Sequence, residues 1–197
     1  MRYRRIIHVA PAILFLAVVF LSIGQALAAP FVVFPKAGEL VSPDGRFVVR
    51  NTERAASPTE FVGTFRSLWL VEVATGRARK LCDYVGVAAV MWTKDDFLVV
   101  TQYVAKTTSR AMVFSAADPE NPIVLDKSGL ILRGPAELRP ALQENNHVFI
   151  EASQLEDETL SVRVWGYGAH DPNGFRWRCR YATWNGTVAC TEEHSSR

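Results

Sequence analysis

The chain has few of the residues that most often carry chemistry. Only four of its 197 residues are histidines and three are cysteines. His147, His170 and His194 show no metal-ligand spacing with one another or with a cysteine, so we expect no metal site. The sequence also lacks a phosphate-binding glycine loop and a nucleophile elbow. His170 next to Asp171 is more typical of a turn than of a catalytic triad.

These absences lead us to expect no cofactor and no enzymatic activity. A hydrolase whose site is assembled from distant, unrecognised residues is the enzymatic alternative. It predicts that some His or Asp substitution abolishes turnover without unfolding the protein.

Beyond residue 28 the chain also lacks an apolar run long enough to span a membrane. Before that point, three arginines in the first five residues precede an apolar stretch from 10 to 21, and Ala26-Leu27-Ala28 follows. This order of basic, apolar and small residues predicts a signal peptide over residues 1–28, cleaved after Ala28. We therefore expect a periplasmic or secreted protein, with a retained N-terminal anchor helix as the alternative.

The chain has no strong excess of charge of either sign. Residues 1–28 contain three arginines and no acidic residue, so the remaining 169 residues carry 19 basic and 20 acidic side chains. A nearly neutral domain offers no electrostatic argument for nucleic-acid binding. Its length is that of a single domain with a sizeable core, which we place at residues 29–197.

The three cysteines fit an oxidising compartment. Cys179 and Cys190 flank Trp184-Asn185-Gly186, and Asn-Gly is a strong hairpin-turn signal. A hairpin centred there places the two cysteines opposite each other, which predicts a Cys179–Cys190 disulfide. The alternative is that both are free, buried, small hydrophobic side chains. We expect Cys82 to be buried at the end of a strand.

The remaining sequence favours strands over helices. Short runs rich in Val, Phe, Trp and Tyr alternate with clusters of Gly, Pro, Asn and Asp, and no segment holds a helical apolar period over three turns. The predicted strands cover 47–49, 68–73, 97–100, 111–114, 148–150, 160–165 and 175–181. Residues 135–144 are the best helix candidate, but Pro140 limits them to a turn or a single helical turn.

A short motif recurs along the chain. An apolar residue, a polar four-residue turn and an apolar strand occupy 41–49, then 92–100 and, more weakly, 142–150. The spacing of about 50 residues indicates units near 41–91, 92–141 and 142–192. In each unit we expect the turn to join two antiparallel strands.

The first of these units resembles a known repeat. Ser42-Pro43-Asp44-Gly45-Arg46, followed by 68–76 with its Ala-Thr-Gly turn, is similar to the TolB-type, WD-like β-propeller repeat. The resemblance is best over residues 41–126, and the third unit lacks the Pro, the Gly and the acidic turn residue. It implies blade-like antiparallel meanders and a role in protein–protein contacts. Closed propellers have at least four blades, so three units imply an open or incomplete propeller, with a β-sandwich or half of a homo-oligomer as alternatives.

The C-terminal part predicts a hairpin with one distinctive face. Taking Asp171-Pro172-Asn173-Gly174 as its loop pairs His170 with Phe175, Gly168 with Trp177, Gly166 with Cys179 and Val164 with Tyr181. In that register Gly166 and Gly168 make room for Trp177. Strict alternation puts Phe175, Trp177, Cys179 and Tyr181 in the core.

The opposite face of this hairpin is the candidate partner-binding surface. Its six residues are Arg163, Trp165, Tyr167, Arg176, Arg178 and Arg180. Arginines over aromatic rings make cation–π contacts, and Arg, Trp and Tyr are enriched in binding hot spots. An ordinary solvated sheet face, with arginine stems covering the rings, is the structural alternative.

Our leading functional hypothesis is an exported, non-enzymatic module that recognises another exported or envelope protein. An inhibitor or immunity-type protein is one version of it. A carbohydrate or cell-wall binder that uses Trp165, Tyr167 and Trp184 for stacking is the second hypothesis.

Overall fold

The structure, a computed structural model, describes residues 31–55 and 64–193. The predicted signal peptide, residues 1–28, and His194 lie outside the described residues. Within them, no helix has both the length and the apolar character needed to cross a membrane. The strands and helices are β1 (Val32–Phe34), β2 (Glu39–Val41), β3 (Phe47–Ala55), β4 (Thr64–Glu72), β5 (Ala78–Tyr84), β6 (Ala88–Trp92), β7 (Phe97–Ala105), β8 (Thr108–Ser115), β9 (Ile123–Leu125), α1 (Lys127–Arg133), a 3-10 turn (Ala136–Leu138), α2 (Arg139–Glu144), β10 (His147–Glu156), β11 (Thr159–Tyr167), β12 (Phe175–Ala182) and β13 (Val188–Glu192).

The expected all-β fold is confirmed, and the strands form two sheets. Strands β2 to β5 make a four-stranded antiparallel meander. A second meander, β6 to β9, is extended by β1 and meets a third, β10 to β13, at a parallel pair between Thr108 and Val148. The second and third meanders thus belong to one nine-stranded sheet, which is open.

The second meander is buried on both of its faces. On β7, Leu98 and Val100 pack into a cluster shared with the first meander, whereas Val99 packs into a cluster shared with the third. On β8, Met112 and Phe114 lie on the side of the first meander. A strand that is covered on both sides has no polar face, which is why β7 and β8 contain uninterrupted apolar runs.

The first two copies of the repeated motif form similar turns that differ in length by one residue. In the first, the Ser42 hydroxyl accepts a hydrogen bond from the Phe47 N–H (2.9 Å), and in the second the Thr93 hydroxyl accepts one from the Phe97 N–H (3.1 Å). Each turn therefore joins two antiparallel strands, as expected. Arg46 of the first turn also donates to Asp96 of the second (2.7 Å), and this ion pair links the two meanders at their turns.

The third copy does not have this form. Leu142 lies in α2 rather than in a strand, so a helix and not a strand precedes β10. The expectation of at most one helical turn was also wrong. Pro140 sits in the first turn of α2, where a missing N–H costs nothing, and α1 was not expected at all. Both helices are short, and α1 buries only Leu130, so neither leaves a periodic apolar pattern in the sequence.

The register predicted for the C-terminal hairpin was also wrong. The structure pairs Gly166 with Phe175 and Val164 with Trp177, a displacement of four residues along β11. The turn from Asp171 to Gly174 exists, because the Gly174 N–H donates to the Asp171 carbonyl (3.0 Å), but it lies within a longer loop over 168–174. The displacement is even, so every side chain stays on its predicted face.

A buried asparagine explains the longer loop. Asn145, 2% exposed, donates to the Asp171 carboxylate (2.7 Å) and to the Ala141 carbonyl (2.9 Å). Its side-chain oxygen accepts a hydrogen bond from the Asp171 N–H (3.1 Å). These bonds fasten the loop to the end of α2 from a point 26 residues away in sequence.

The two hairpin glycines accommodate neighbours other than Trp177. A Cβ on Gly166 would overlap the His147 carbonyl oxygen and crowd the Phe175 ring. A Cβ on Gly168 would lie 2.7 Å from the Asn145 side-chain oxygen. Glycine is required at these positions because backbone groups approach closely, not because a large ring needs space.

The predicted cysteine arrangement is confirmed. Cys179 and Cys190 face each other on β12 and β13 and form a disulfide. Gly186 in the turn between them has a φ of +73°, which suits glycine. Cys82, near the end of β5, is a buried free thiol, and burial raises its pKa to about 12.

Replacing Gly166 tests the close approach between β10 and β11. We expect Gly166→Ala to lower the free energy of unfolding by about 1–3 kcal/mol or more, because the new methyl group overlaps a backbone carbonyl. Urea denaturation measures this. The control is Gly38→Ala, where a Cβ meets nothing within 4 Å and the change should stay within about 0.5 kcal/mol. Equal stabilities for the two variants would contradict the close contact between these strands.

Reduction tests the contribution of the disulfide. The bond closes a loop with a sequence separation of 11, so its loss should lower the free energy of unfolding by about 2–3 kcal/mol in the chain-entropy treatment. The measurement compares urea denaturation of the protein with and without dithiothreitol. In the control, a variant with Cys179→Ala and Cys190→Ala, the reductant should have no effect. A reductant effect of equal size in that variant would show that the bond is not its cause.

Candidate binding face

All six predicted partner-binding residues lie on one face of β11 and β12. On β12 the side chains of Arg176, Arg178 and Arg180 are exposed, and every residue between them is buried. The same alternation on β11 leaves Trp165 half-buried and Tyr167 44% exposed. We call the surface formed by Arg163, Trp165, Tyr167, Arg176, Arg178 and Arg180 the Arg–aromatic face.

The strand register places these side chains in adjacent rows. Trp165 lies opposite Arg176, and Arg163 lies opposite Arg178. Strand β10 extends both rows, because Phe149 lies opposite Trp165 and Glu151 lies opposite Arg163. Side chains paired in this way are close enough to interact across the strands.

The aromatic rings of this surface stack on one another. Phe149 and Trp165 have ring centroids 4.3 Å apart, and the His147 and Tyr167 rings are 4.2 Å apart and nearly parallel. Such pairs contribute about 0.5–1.5 kcal/mol beyond the area that they bury. Stacking therefore favours the orientations that the Trp165 and Tyr167 rings adopt.

The expected cation–π contacts are not found on this face. In the described ranges, the arginine positioned over a ring is Arg46, whose guanidinium carbon lies 5.5 Å from the centroid of Phe47. The rings of the face pack against other rings instead, so the neighbouring arginine side chains do not cover the rings.

A tyrosine of the second meander supports the edge of the surface. Tyr103 donates a hydrogen bond to the Glu151 carboxylate (2.5 Å) and lies against the Phe149 ring, with centroids 6.0 Å apart. Burial and this hydrogen bond raise the pKa of Tyr103 well above its ordinary value. The hydroxyl therefore remains a proton donor, and it positions Glu151 next to Arg163.

Most of the arginines of the face have no ion-pair partner among the described residues. Arg178 donates to Glu193 (2.5 Å) in an ion pair. Arg163, Arg176 and Arg180 make no side-chain hydrogen bond or ion pair with any other described residue. Three guanidinium groups are therefore available to an external acceptor.

A cleft of about 630 Å³ opens at one end of the face. It is formed where β11, the loop after it, the start of β12 and the end of β13 meet. Its lining consists of Trp165, Gly166, Tyr167, Pro172, Asn173, Gly174, Phe175, Arg176, Glu192 and Glu193. Three of the six predicted residues thus border a concave site with an acidic rim formed by Glu192 and Glu193 at the end of β13. Trp184, proposed as a stacking platform, is 74% exposed and does not line it.

The pair His170 and Asp171 lies in the loop beside this cleft. The His170 Nδ1 is 2.9 Å from the Asp171 carboxylate, which is also held by Asn145. The hydrogen bond to Asp171, together with the nearby charge of Glu144, raises the pKa of His170 above its ordinary value. The pair therefore shapes the loop, as the turn interpretation suggested. No group of three or more His, Cys, Asp or Glu in the described part of the chain is placed to hold a metal ion.

Several residues of the site were missed at the level of the sequence. His147, Phe149 and Glu151 alternate along β10, and this period of two is a signal that could have found them. Tyr103 reaches the face from β7, which is far away in sequence, and Glu193 reaches it from just beyond the end of β13. No local sequence pattern marks either residue.

A titration tests the coupling between His170 and the loop. A raised pKa means that the His170–Asp171 contact stabilises the protein fully below about pH 6.5, and that this contribution is lost as the pH rises through the folded-state value. We expect the His170 ring signals in NMR to titrate with a midpoint above 6.5, and Asp171→Asn to lower that midpoint. Glu144→Gln removes the weaker effect of the Glu144 charge on the His170 pKa, so it should lower the titration midpoint by less than Asp171→Asn does. A midpoint that Asp171→Asn leaves unchanged would contradict this assignment.

The chain was compared with known protein families and with curated proteins. No family model and no curated protein matches it. What the protein does must therefore be inferred from the geometry of the Arg–aromatic face.

Proposed function

We propose that this protein is an exported, non-enzymatic binding module that recognises another protein through its Arg–aromatic face. One observation carries the proposal: Arg163, Arg176 and Arg180 lie exposed and without a side-chain partner among the described residues, beside stacked aromatic rings. Arginine, tryptophan and tyrosine are the side chains that dominate binding energy at protein interfaces.

The geometry favours binding because the backbone and two rings of the face are already arranged before association. The six side chains project from two paired strands of an extended sheet, and Trp165 and Tyr167 already stack on neighbouring rings. Binding energy is therefore not spent on ordering loops or rings. A partner that offers carboxylates would form charge-assisted hydrogen bonds with the free guanidinium groups.

The disulfide supports export as part of this proposal. Disulfides such as Cys179–Cys190 persist in oxidising compartments. Together with the signal-peptide pattern of residues 1–28, this favours a periplasmic or secreted location and a partner that is itself exported or part of the envelope. An inhibitor or immunity-type protein is one concrete version of this function.

The meander architecture is in keeping with the same role. The proposal treats the three stacked meanders as blade-like units of the TolB-type, WD-like kind, which implies a scaffold for protein contacts. In this view the first two meanders support the third, and the third presents the binding face.

An affinity experiment tests the proposal. The immobilised protein is exposed to envelope extract from its host and compared with a variant carrying Arg176→Ala, Arg178→Ala and Arg180→Ala. We expect a specific partner to bind the unchanged protein at least about a hundredfold more tightly, since each truncated hot-spot arginine costs about 1 kcal/mol or more. Binding should also weaken as the salt concentration rises.

The control variant carries Arg50→Ala, Arg77→Ala and Arg139→Ala, which remove the same charge from exposed positions elsewhere. It should bind as the unchanged protein does. A partner that is lost equally from both variants, or retained by both, would contradict the assignment of this face. Binding to purified cell-wall material that Trp165→Ala abolishes would instead favour a carbohydrate-binding function.

A further inference from the structure

Strand β13 ends the larger sheet. It pairs with β12 on one side, and no described strand pairs with its other side. An unpaired strand edge presents backbone donors and acceptors that a further strand can use.

The hydrogen-bond pattern shows which groups point outward. The Glu193 N–H donates to the Arg176 carbonyl (2.9 Å), and the Ala182 N–H donates to the Thr187 carbonyl (2.9 Å). Because inward hydrogen bonds recur at every second residue of an antiparallel pair, the backbone N–H and C=O groups of Ala189 and Thr191 also face β12. Val188, Cys190 and Glu192 alternate with them, so their N–H and C=O groups face the free edge. The Cα–Cα distance of 4.0 Å between Cys179 and Cys190 is typical of a pair without ladder bonds, which agrees with this phase.

This edge is less protected than the other sheet edges. Strands β1 and β2 have only three residues each, and β5 carries Arg79 and Lys80. Short length and basic side chains are the usual means by which edges avoid pairing. In contrast, β13 has five residues, no proline and no basic side chain, and the disulfide holds it in an extended conformation.

The Arg–aromatic face gives this edge a preference for acidic partners. Arg178 lies opposite Thr191 and Arg180 lies opposite Ala189. These two small side chains are all that separates the arginines from a strand added about 5 Å beyond β13. The Glu193 carboxylate already binds Arg178, which shows that a carboxylate at this edge lies within reach of the arginines.

We propose that the free edge of β13 is a strand-addition site for an extended segment of the partner with Glu or Asp at alternate positions. The outward backbone groups of Val188, Cys190 and Glu192 bind the segment, and its carboxylates are selected by Arg180 and by Arg178, which exchanges Glu193 for a carboxylate of the segment. This inference rests on the proposed function and names the element of the partner that the site accepts. It describes β-augmentation with alternate side chains providing specificity.

A second copy of the chain is a poor occupant of this edge. Its β13 would bring Ala189 and Thr191 to the arginine side, which offer no carboxylate, and the Glu193 that follows β13 already binds Arg178 of its own copy. Charge complementarity therefore favours a different, acidic chain.

Defined peptides test the proposal without the natural partner. The probe is a seven-residue, N-acetylated and C-amidated peptide of alternating Glu and Thr, added at millimolar concentration to ¹⁵N-labelled protein. We expect NMR shifts centred on the amides of β13 and on the Arg178 and Arg180 side chains. Hydrogen exchange at the outward amides of Val188, Cys190 and Glu192 should slow by at least about fivefold at saturation.

Two control peptides separate strand addition from simple charge attraction. One has the same composition with its Glu residues in a block, and the other alternates Lys and Thr. Both should bind at least about tenfold more weakly. Equal binding of the block peptide, or shifts at Trp165 and Tyr167 without protection of β13, would overturn the proposal.

A pair of protein variants provides the matched test. Glu192→Pro removes only an outward-facing N–H, a substitution that an edge strand tolerates, and should weaken binding of the alternating peptide at least about tenfold. Glu192→Gln keeps that N–H, removes one negative charge beside the edge and should therefore bind the alternating peptide at least as tightly as the unchanged protein does. Unaltered binding to Glu192→Pro, confirmed as folded by its amide spectrum, would overturn strand addition.

Failure of this proposal is distinct from failure of the proposed function. If the alternating peptide gives no protection of β13 at millimolar concentration, strand addition is overturned. The pull-down with the Arg176, Arg178 and Arg180 variant would still decide independently whether the face binds a protein.

Discussion

The structure depends on one constraint, which is that the second meander must be covered on both of its faces. Adjacent residues of β7, such as Leu98 and Val99, enter two different hydrophobic clusters. Neither neighbouring meander can be lost without exposing one of these clusters to water. The first and third meanders are therefore both required, and the inner face of each is buried in the core.

This arrangement determines where recognition surfaces can exist. In the described part of the chain the second meander has no free face, so the sheet faces that meet solvent there are the outer faces of the first and third meanders. The outer face of the third meander carries the stacked rings and the arginines, and the cleft opens at its end. The tie made by Asn145 holds the loop beside that cleft against α2, so the helices also support the surface.

Local patterns in the sequence predicted much of this. Alternation along 175–181 was enough to separate core from surface, and an Asn-Gly turn between two cysteines was enough to pair them. The loop length of the hairpin depended on Asn145, which is remote in sequence, and so the register was wrong by four residues. The helices were missed because α1 and α2 are short and bury few side chains. The contribution of Tyr103 follows from the packing of two meanders, which no local pattern reports.

The strict alternation of β12 also has an evolutionary consequence. Arg176, Arg178 and Arg180 are each flanked by buried residues, yet they make no contribution to the core themselves. Selection can therefore rewrite the exposed positions, one by one, without disturbing the residues that hold the fold. A lineage could change the chemistry of this face while its interior stayed constant. Gly166 marks the limit of that freedom, because there the backbone of β10 lies too close to admit any side chain.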